Sequence, residues 1–407
     1  MTNPMRQRWA IMGLWLLSNV AGFMMVISVG LLLPSISTDL GLTPTQQGFY
    51  GSAAFLGNLF LTVPISWWVS RYRPKILTTV TFTLSSALMF VQGWGPNFAI
   101  MLLGRLGFGI STLAREPARV LLMHRLFTPR EFILVSGVYN LMFGLVVGGG
   151  LVLTPIILGR VGDDWRRVLL TFAVTLGVLA VLWTILGSDG EENDESDRQE
   201  ADSGDGRLGI IKRVLGYKEL WIAGAGSMGA TMAWSSFVNF YPTLMLDVYD
   251  MSLNWTGLLL AIGIAVGGPS GIALSQIVPR VRGNRRRNIL QAIGVAMVAT
   301  YLGMILTDSI PLLIVITLVS GVAQGYWPVL NSIPFYLPGI RPRESTVALS
   351  FMMTLGTFGV ATGPALVGAL HDRLGDLRLA MIIISFAPTL LVTCSSLIHI
   401  RTDHGDE

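Results

Sequence analysis

Between Ala99 and Phe127 the chain runs through an apolar stretch long enough to span a bilayer, and that stretch carries Arg105, Arg115, Glu116 and Arg119. A charged side chain at bilayer depth costs about 2.5–3.5 kcal/mol on insertion scales, so it faces a bundle interior or a water-filled cavity. Arginine offers a planar fork suited to carboxylate or phosphate, and it stays ionised. Arg115 and Arg119 are therefore candidates to grip an anionic group. Glu116 is the single acid in the interior of a predicted span, away from its ends. A carboxyl can take up and release a proton where a guanidinium cannot, which makes Glu116 the candidate proton-coupling group. The competing reading is structural: Glu116 and Arg119 stand i,i+3 and can pair with each other along the helix.

At about 100° per residue, Gly109, Thr112, Glu116 and Arg119 fall within about 40° of the Arg105 direction, with Arg115 roughly 80° to the side. Pro117 cannot donate a backbone bond to the carbonyl of Leu113, and so predicts a kink beside the charges. Further polar and aromatic residues at midspan depth are candidates for a cavity wall: Asn19, Tyr139, Asn140, Trp234, Asn239, Tyr241, Gln324, Tyr326, Trp327 and Asn331. Interhelical hydrogen bonding and interfacial aromatics are the alternative for each.

The elements that must hold these residues are membrane spans. The 407 residues are 52% hydrophobic and only 13% charged, against about 25% charged in a soluble protein. Runs of about 20 apolar residues predict twelve helices, at 9–36, 46–69, 76–94, 98–126, 131–158, 166–187, 218–246, 254–279, 288–308, 310–337, 344–370 and 377–400. The first run is too long for a signal peptide and lacks a small-residue cleavage site. The expected fold is all-α and integral to the membrane. Lys and Arg number twenty in the termini and even-numbered loops, against five in the odd-numbered loops (Arg160, Arg166, Arg167, Arg373 and Arg378). That bias places both termini in the cytoplasm.

Residues 188–207 hold nine acids, with Ala201 as the one apolar side chain. Such a segment cannot bury a core and reads as a solvated tether, with a regulatory role as the alternative. It divides the chain into an N-terminal six-helix bundle (1–187), an acidic cytoplasmic linker (188–217) and a C-terminal six-helix bundle (218–407). The halves repeat. Ser66 to Arg73 and Ser275 to Arg282 both fit S-x-x-V-x-R-x-R, 209 residues apart. Pro129-Arg130-Glu131 returns as Pro342-Arg343-Glu344, 213 apart, and Gly144 and Gly148 return as Gly359 and Gly363, 215 apart. Pro328 is the counterpart of Pro117, which would set Tyr326 and Trp327 opposite Arg115 and Glu116. Repeat-built carriers bind solute near the midplane and rock one half against the other.

With twelve spans as six plus six, a long central loop and a first span ending Leu33-Pro34-Ser35-Ile36-Ser37-Thr38-Asp39-Leu40-Gly41, the chain resembles the major facilitator superfamily over nearly its whole length. The loop after span two resembles the family's G-x-x-x-D-R-x-G-R-[RK] motif. Arg71 and Lys75 match, whereas Ser66, Ser70 and Arg73 replace its glycines and its aspartate. The resemblance implies a cytoplasmic gate at Arg71, Arg73 and Lys75, repeated at Arg280 and Arg282. Span four resembles the family's R-x-x-x-G motif with Arg105 and Gly109, which implies an association of Arg105 with proton transfer. The exporter motif G-x-x-x-G-P is incomplete in span five, at Gly144 to Gly150, and closer at Gly359 to Pro364 in span eleven.

The expected function is secondary active transport of a small organic solute, anionic by the arginines, driven by protons or by exchange. A drug or metabolite efflux pump is the alternative within transport, and a non-transporting sensor or scaffold the alternative outside it. No P-loop, metal-ligand cluster or nucleophile elbow occurs, so an enzyme, a cofactor and a metal are not expected. The four histidines lie near span ends or tails. The expected partners are the lipid bilayer and the solute, with no nucleic acid, for a monomer in the cell membrane.

Overall fold

The computed structural model describes residues 4–69, 72–128, 131–189, 212–277, 281, 283–331, 333–336, 340 and 342–397. The expected gate residues Arg71, Arg280 and Arg282, and linker residues 190–211, lie outside the described residues.

Among the described residues the regular elements are helical. They run α1 (Pro4–Leu40), α2 (Pro44–Val69), α3 (Pro74–Trp94), α4 (Phe98–Thr112), α5 (Arg115–Leu126), α6 (Phe132–Arg160), α7 (Trp165–Leu186), α8 (Lys218–Tyr249), α9 (Leu253–Ile277), α10 (Gly283–Leu306), α11 (Ile310–Ala323), α12 (Tyr326–Asn331), α13 (Pro342–Leu374), α14 (Leu377–Ser385) and α15 (Thr389–Leu397). A single 3-10 turn covers Ile333–Tyr336. Nine of the described helical stretches are long and apolar enough to cross a membrane, and Phe98–Thr112 is a shorter apolar helix. Within the described residues, each of the twelve predicted spans is a helix or a series of broken helical pieces.

The breaks have local causes. Pro117 has no N–H to give to Leu113, and the chain turns at Leu113 and Ala114 with a tight bond from Leu113 N to Ile110 O at 3.2 Å. Pro328 repeats the arrangement: Gln324 N and Gly325 N make short-turn bonds to Gly321 O and Val322 O, and α12 starts at Tyr326. In both cases the proline is the third residue of the new helix, where a missing N–H costs little. The last span, expected to be continuous, is also broken. Pro388 cannot bond to Ile384 O, and residues 386–388 form turns between α14 and α15.

Two compact units partition the chain, one from residues 1–198 with 252–261 and one from 199–251 with 262–407. In the first, α3 packs on α7 and α4, α1 on α6 and α7, and α2 on α4. One apolar cluster joins Trp15 and Leu16 of α1, Phe82 of α3, Leu122 and Met123 of α5, Val135 of α6 and Trp183 of α7. Phe82 and Trp183 meet edge to face at 6.4 Å. In the second unit, α8 packs on α13 and α15, and α10 on α11 and α15.

Helix ends are capped in keeping with their residue types. Asn97 accepts from Ile100 N at the start of α4, and Asp164 from Arg166 N at the start of α7. The carboxylate of Asp189 accepts from Lys75 N at 2.6 Å, in the first turn of α3. Arg73 in the same loop is exposed, and Lys75 is half-buried.

Candidate functional site

The break between α4 and α5 shapes the site. Leu113 and Ala114 interrupt the helix between Arg105 and Arg115. The two arginines take different surroundings.

Arg105 is 1% exposed. Its Nε donates to Tyr50 O at 2.7 Å and its Nη2 to Val26 O at 3.1 Å. The guanidinium lies 4.8 Å from the centre of the Tyr50 ring, and the Tyr50 hydroxyl donates to Gln92 Oε1 at 3.2 Å. This cation ties α4 to the backbones of α1 and α2. Four residues on, a side chain at Gly109 would collide with the Ala54 backbone carbonyl. The R-x-x-x-G spacing is therefore one face of α4 pressed directly on α2, with the arginine reaching across to α1.

Arg115, 5% exposed, lines a cavity of about 230 Å³. The walls are Asn19, Gly22, Phe23 and Val26 of α1, Ala54 and Phe55 of α2, Phe108, Gly109 and Thr112 of α4, and Tyr139 of α6. The Arg115 guanidinium lies 5.4 Å from the Phe82 ring centre and 5.8 Å from that of Phe108. Its Nη2 donates to Ser85 Oγ at 2.7 Å. Its Nε is buried without a hydrogen-bond partner among the described residues. No acid forms an ion pair with Arg115 among the described residues. A Cβ at Gly22 would overlap Arg115 Nη1, so only glycine lets α1 run past the guanidinium at this distance.

Of the residues expected at the site, Arg115, Asn19 and Tyr139 are brought to one cavity. Arg119 sits 5.5 Å from the Tyr139 ring centre, beside the cavity wall. Asn140 is exposed. The side chain of Glu116 lies outside the described residues, and with it the expected Glu116–Arg119 pairing.

Of the expected residues of the second unit, Gln324 and Tyr241 are joined through Tyr301 and Phe237. Gln324 Nε2 donates to the Tyr301 hydroxyl at 2.9 Å. Tyr301 stacks on Phe237 at 4.2 Å, and Phe237 on Tyr241 at 5.8 Å. The Tyr241 hydroxyl is buried with no partner among the described residues. Asn239 Nδ2 returns to Ser235 O of its own helix at 2.8 Å, a structural use. Tyr326 is buried and meets Trp327 edge to face at 6.1 Å, while Trp234, Trp327 and Asn331 are half-buried.

Sequence reasoning missed Gly22, Ser85, Ser111, Phe82 and Phe108 around the guanidinium. Glycine, serine and phenylalanine are ordinary in membrane helices, and nothing in their spacing ties them to an arginine on another helix.

Comparison with known proteins follows the same line. Residues 14–364 match the model of the Major Facilitator Superfamily. A galacturonate transporter of Dickeya chrysanthemi is 22% identical over 288 residues, covering 64% of this chain and 80% of that protein. The quinolone resistance protein NorA of Staphylococcus aureus is 22% identical over 368 residues, covering 86% of this chain and 88% of that one. Among solved structures, a bacterial homolog of the human lysosomal transporter Spinster, inward-facing and unoccupied, superposes with a TM-score of 0.78 at 13% identity, over 96% of this chain and 97% of that one. The nucleoside transporter NupG, as a D323A mutant, gives 0.78 at 13% identity over 97% and 99%.

Proposed function

The chain belongs to the Major Facilitator Superfamily, a family of multi-pass membrane transporters, and we propose that its cargo is a small organic anion held on Arg115. The observation that carries this reading is a buried guanidinium lining a cavity, with an unpartnered Nε and no acid paired to it among the described residues. A buried cation attracts an anion far more strongly than an exposed one, because little water screens the pair. The cavity volume of about 230 Å³ lies below the usual 300–1,000 Å³ of drug-sized pockets, which favours a small solute. Asn19, Thr112 and Tyr139 add hydrogen-bonding groups, and Phe23, Phe55 and Phe108 add apolar surface. A carboxylate bearing hydroxyls, such as the galacturonate in the name of one relative, suits that mixture.

Glu116, next to Arg115 in α5, is the proposed proton-coupling group, with solute exchange as the other way to drive the cycle. Arg105 bonds two backbone carbonyls, so its proposed role is to clamp α1, α2 and α4. The protein works as a monomer in the cell membrane, moves its solute by alternating access and catalyses no chemical change. Its two six-helix halves, 1–187 and 218–407, are joined by the acidic linker, with the linker, both termini and the Arg71, Arg73, Lys75, Arg280 and Arg282 gate on the cytoplasmic side. Efflux of drugs, as the name of NorA suggests for that protein, is the second reading. The buried cation at Arg115, with no acid paired to it among the described residues, speaks against a hydrophobic cation as cargo.

The test uses purified protein in liposomes with labelled galacturonate as probe and an imposed proton gradient. Accumulation or counterflow lost in Arg115→Ala supports the reading. Extrusion of ethidium with no movement of galacturonate, benzoate or phosphate would overturn it.

A further inference from the structure

The hydroxyls beside Arg115 form a chain, and one direction satisfies every contact in it. Arg115 Nη2 can only donate, so Ser85 Oγ accepts that bond at 2.7 Å. Ser111 Oγ donates to Phe108 O at 2.7 Å. Ser85 and Ser111 are themselves 2.7 Å apart, oxygen to oxygen. Each hydroxyl has one proton. For all three contacts to be hydrogen bonds at once, Ser111 donates to the carbonyl and Ser85 is the donor between the two serines. The order is Arg115 Nη2 to Ser85 to Ser111 to the Phe108 carbonyl.

Every group in this chain is buried. Ser85 is 0% exposed and Ser111 is 7%. The chain joins α3, α4 and α5, and it is anchored at its far end to main chain rather than to a side chain that can turn away. Gly22 gives the guanidinium room, and the rings of Phe82 and Phe108 lie near it.

Resting on the anion reading above, we infer that Ser85 and Ser111 are positioning residues. They hold the Arg115 guanidinium by Nη2 in one orientation on the wall of the cavity that takes the solute. The chain also polarises in one sense. A hydroxyl that donates its proton becomes a better acceptor at its own oxygen, so Ser85, donating to Ser111, accepts more strongly from Arg115, and the pair supports the cation without a carboxylate that would compete with an anionic solute. A carboxylate at the same place would neutralise the arginine. Two hydroxyls orient it and leave its charge available.

The test uses the full chain in liposomes and two readouts. The first is the rate at which phenylglyoxal modifies Arg115, followed by peptide mass spectrometry. It needs no knowledge of the solute. The second is the KM and Vmax of galacturonate uptake. Ser85→Ala should speed modification several-fold and raise KM about tenfold, the loss of one charge-assisted bond, with Vmax retained. Ser85→Thr keeps the hydroxyl and should restore both. Ser111→Ala should move both in the same direction by less, and it serves if Ser85→Ala does not fold. In an Arg115→Lys background, Ser85→Ala should add nothing to KM.

Modification of Arg115 at the wild-type rate in both alanine variants would overturn the positioning role. So would a fall in Vmax with KM unchanged. Failure of the anion reading looks different. Neither galacturonate, benzoate nor phosphate would then protect Arg115 of the wild-type protein from phenylglyoxal, while the order of modification rates among the variants would stand.

Discussion

Replacing Gly22 by alanine adds one carbon atom to α1 at the point nearest the Arg115 guanidinium. That carbon would overlap Nη1 and lie 3.1 Å from Nη2 and 3.2 Å from Cζ. Non-bonded heavy atoms are at their best near 3.5–4.0 Å, so the guanidinium must retreat by about 1 Å. Its bond to Ser85 is 2.7 Å long, and a shift of that size takes it beyond or to the edge of hydrogen-bonding distance. A bond to a charged group contributes about 1.5–3 kcal/mol. Losing it should weaken anion binding by about 10- to 150-fold.

The control lies on the same helix. A Cβ at Gly13 meets nothing within 4 Å, so Gly13→Ala brings only the helical preference for alanine, about 0.5–1 kcal/mol of stabilisation. Galacturonate uptake in liposomes and thermal unfolding in detergent are measured on both variants. Gly22→Ala should raise KM by at least tenfold and leave insertion intact, while Gly13→Ala keeps the wild-type KM. Equal KM values for the two variants would refute the reasoning, because the collision and its consequence are the whole difference between them.

Gly109→Ala should destabilise the protein by about 1–3 kcal/mol, since its methyl group meets the Ala54 carbonyl rather than a movable side chain; a thermal scan checks it. Glu116→Gln should abolish gradient-driven accumulation and preserve counterflow exchange, and full accumulation would remove Glu116 as the coupling group. If Glu116 serves only to pair with Arg119, Glu116→Gln lowers the melting temperature instead and Glu116→Gln/Arg119→Gln recovers it. A cysteine at position 196, in a protein lacking Cys394, should resist an impermeant thiol reagent outside intact cells, and labelling there would reverse the orientation of the chain. Arg213 Nη1 meets the buried Glu344 carboxylate at 2.9 Å while remaining 54% exposed. Arg213→Ala should therefore cost about 1–3 kcal/mol, between an exposed and a buried pair, read as a fall in melting temperature.

Much of the architecture is written in local properties of the chain. A run of apolar residues in a bilayer has to satisfy its backbone within itself, so composition alone determines that these segments are helices. The breaks before Pro117 and Pro328 are equally local, because a proline lacks one donor wherever it stands. Pro388 obeys the same rule and interrupts the last span, although the apolar run reads as continuous. The exceptional status of Arg105, Arg115, Glu116 and Arg119 is also legible, since the cost of burying a charge depends on residue type and depth.

What each charge does was decided by tertiary structure. Arg105 and Arg115 are the same residue ten positions apart. One bonds the carbonyls of Tyr50 and Val26, and the other lines a cavity with its Nε unpartnered. The difference lies in which neighbours approach. Gly109 brings α2 against α4 beside Arg105, and Gly22 brings α1 to the Arg115 guanidinium. Ser85 and Ser111 acquire their role only from meeting that guanidinium across three helices. Hydrogen-bond direction and steric clearance between distant segments are properties of packing, and no spacing along the chain encodes them.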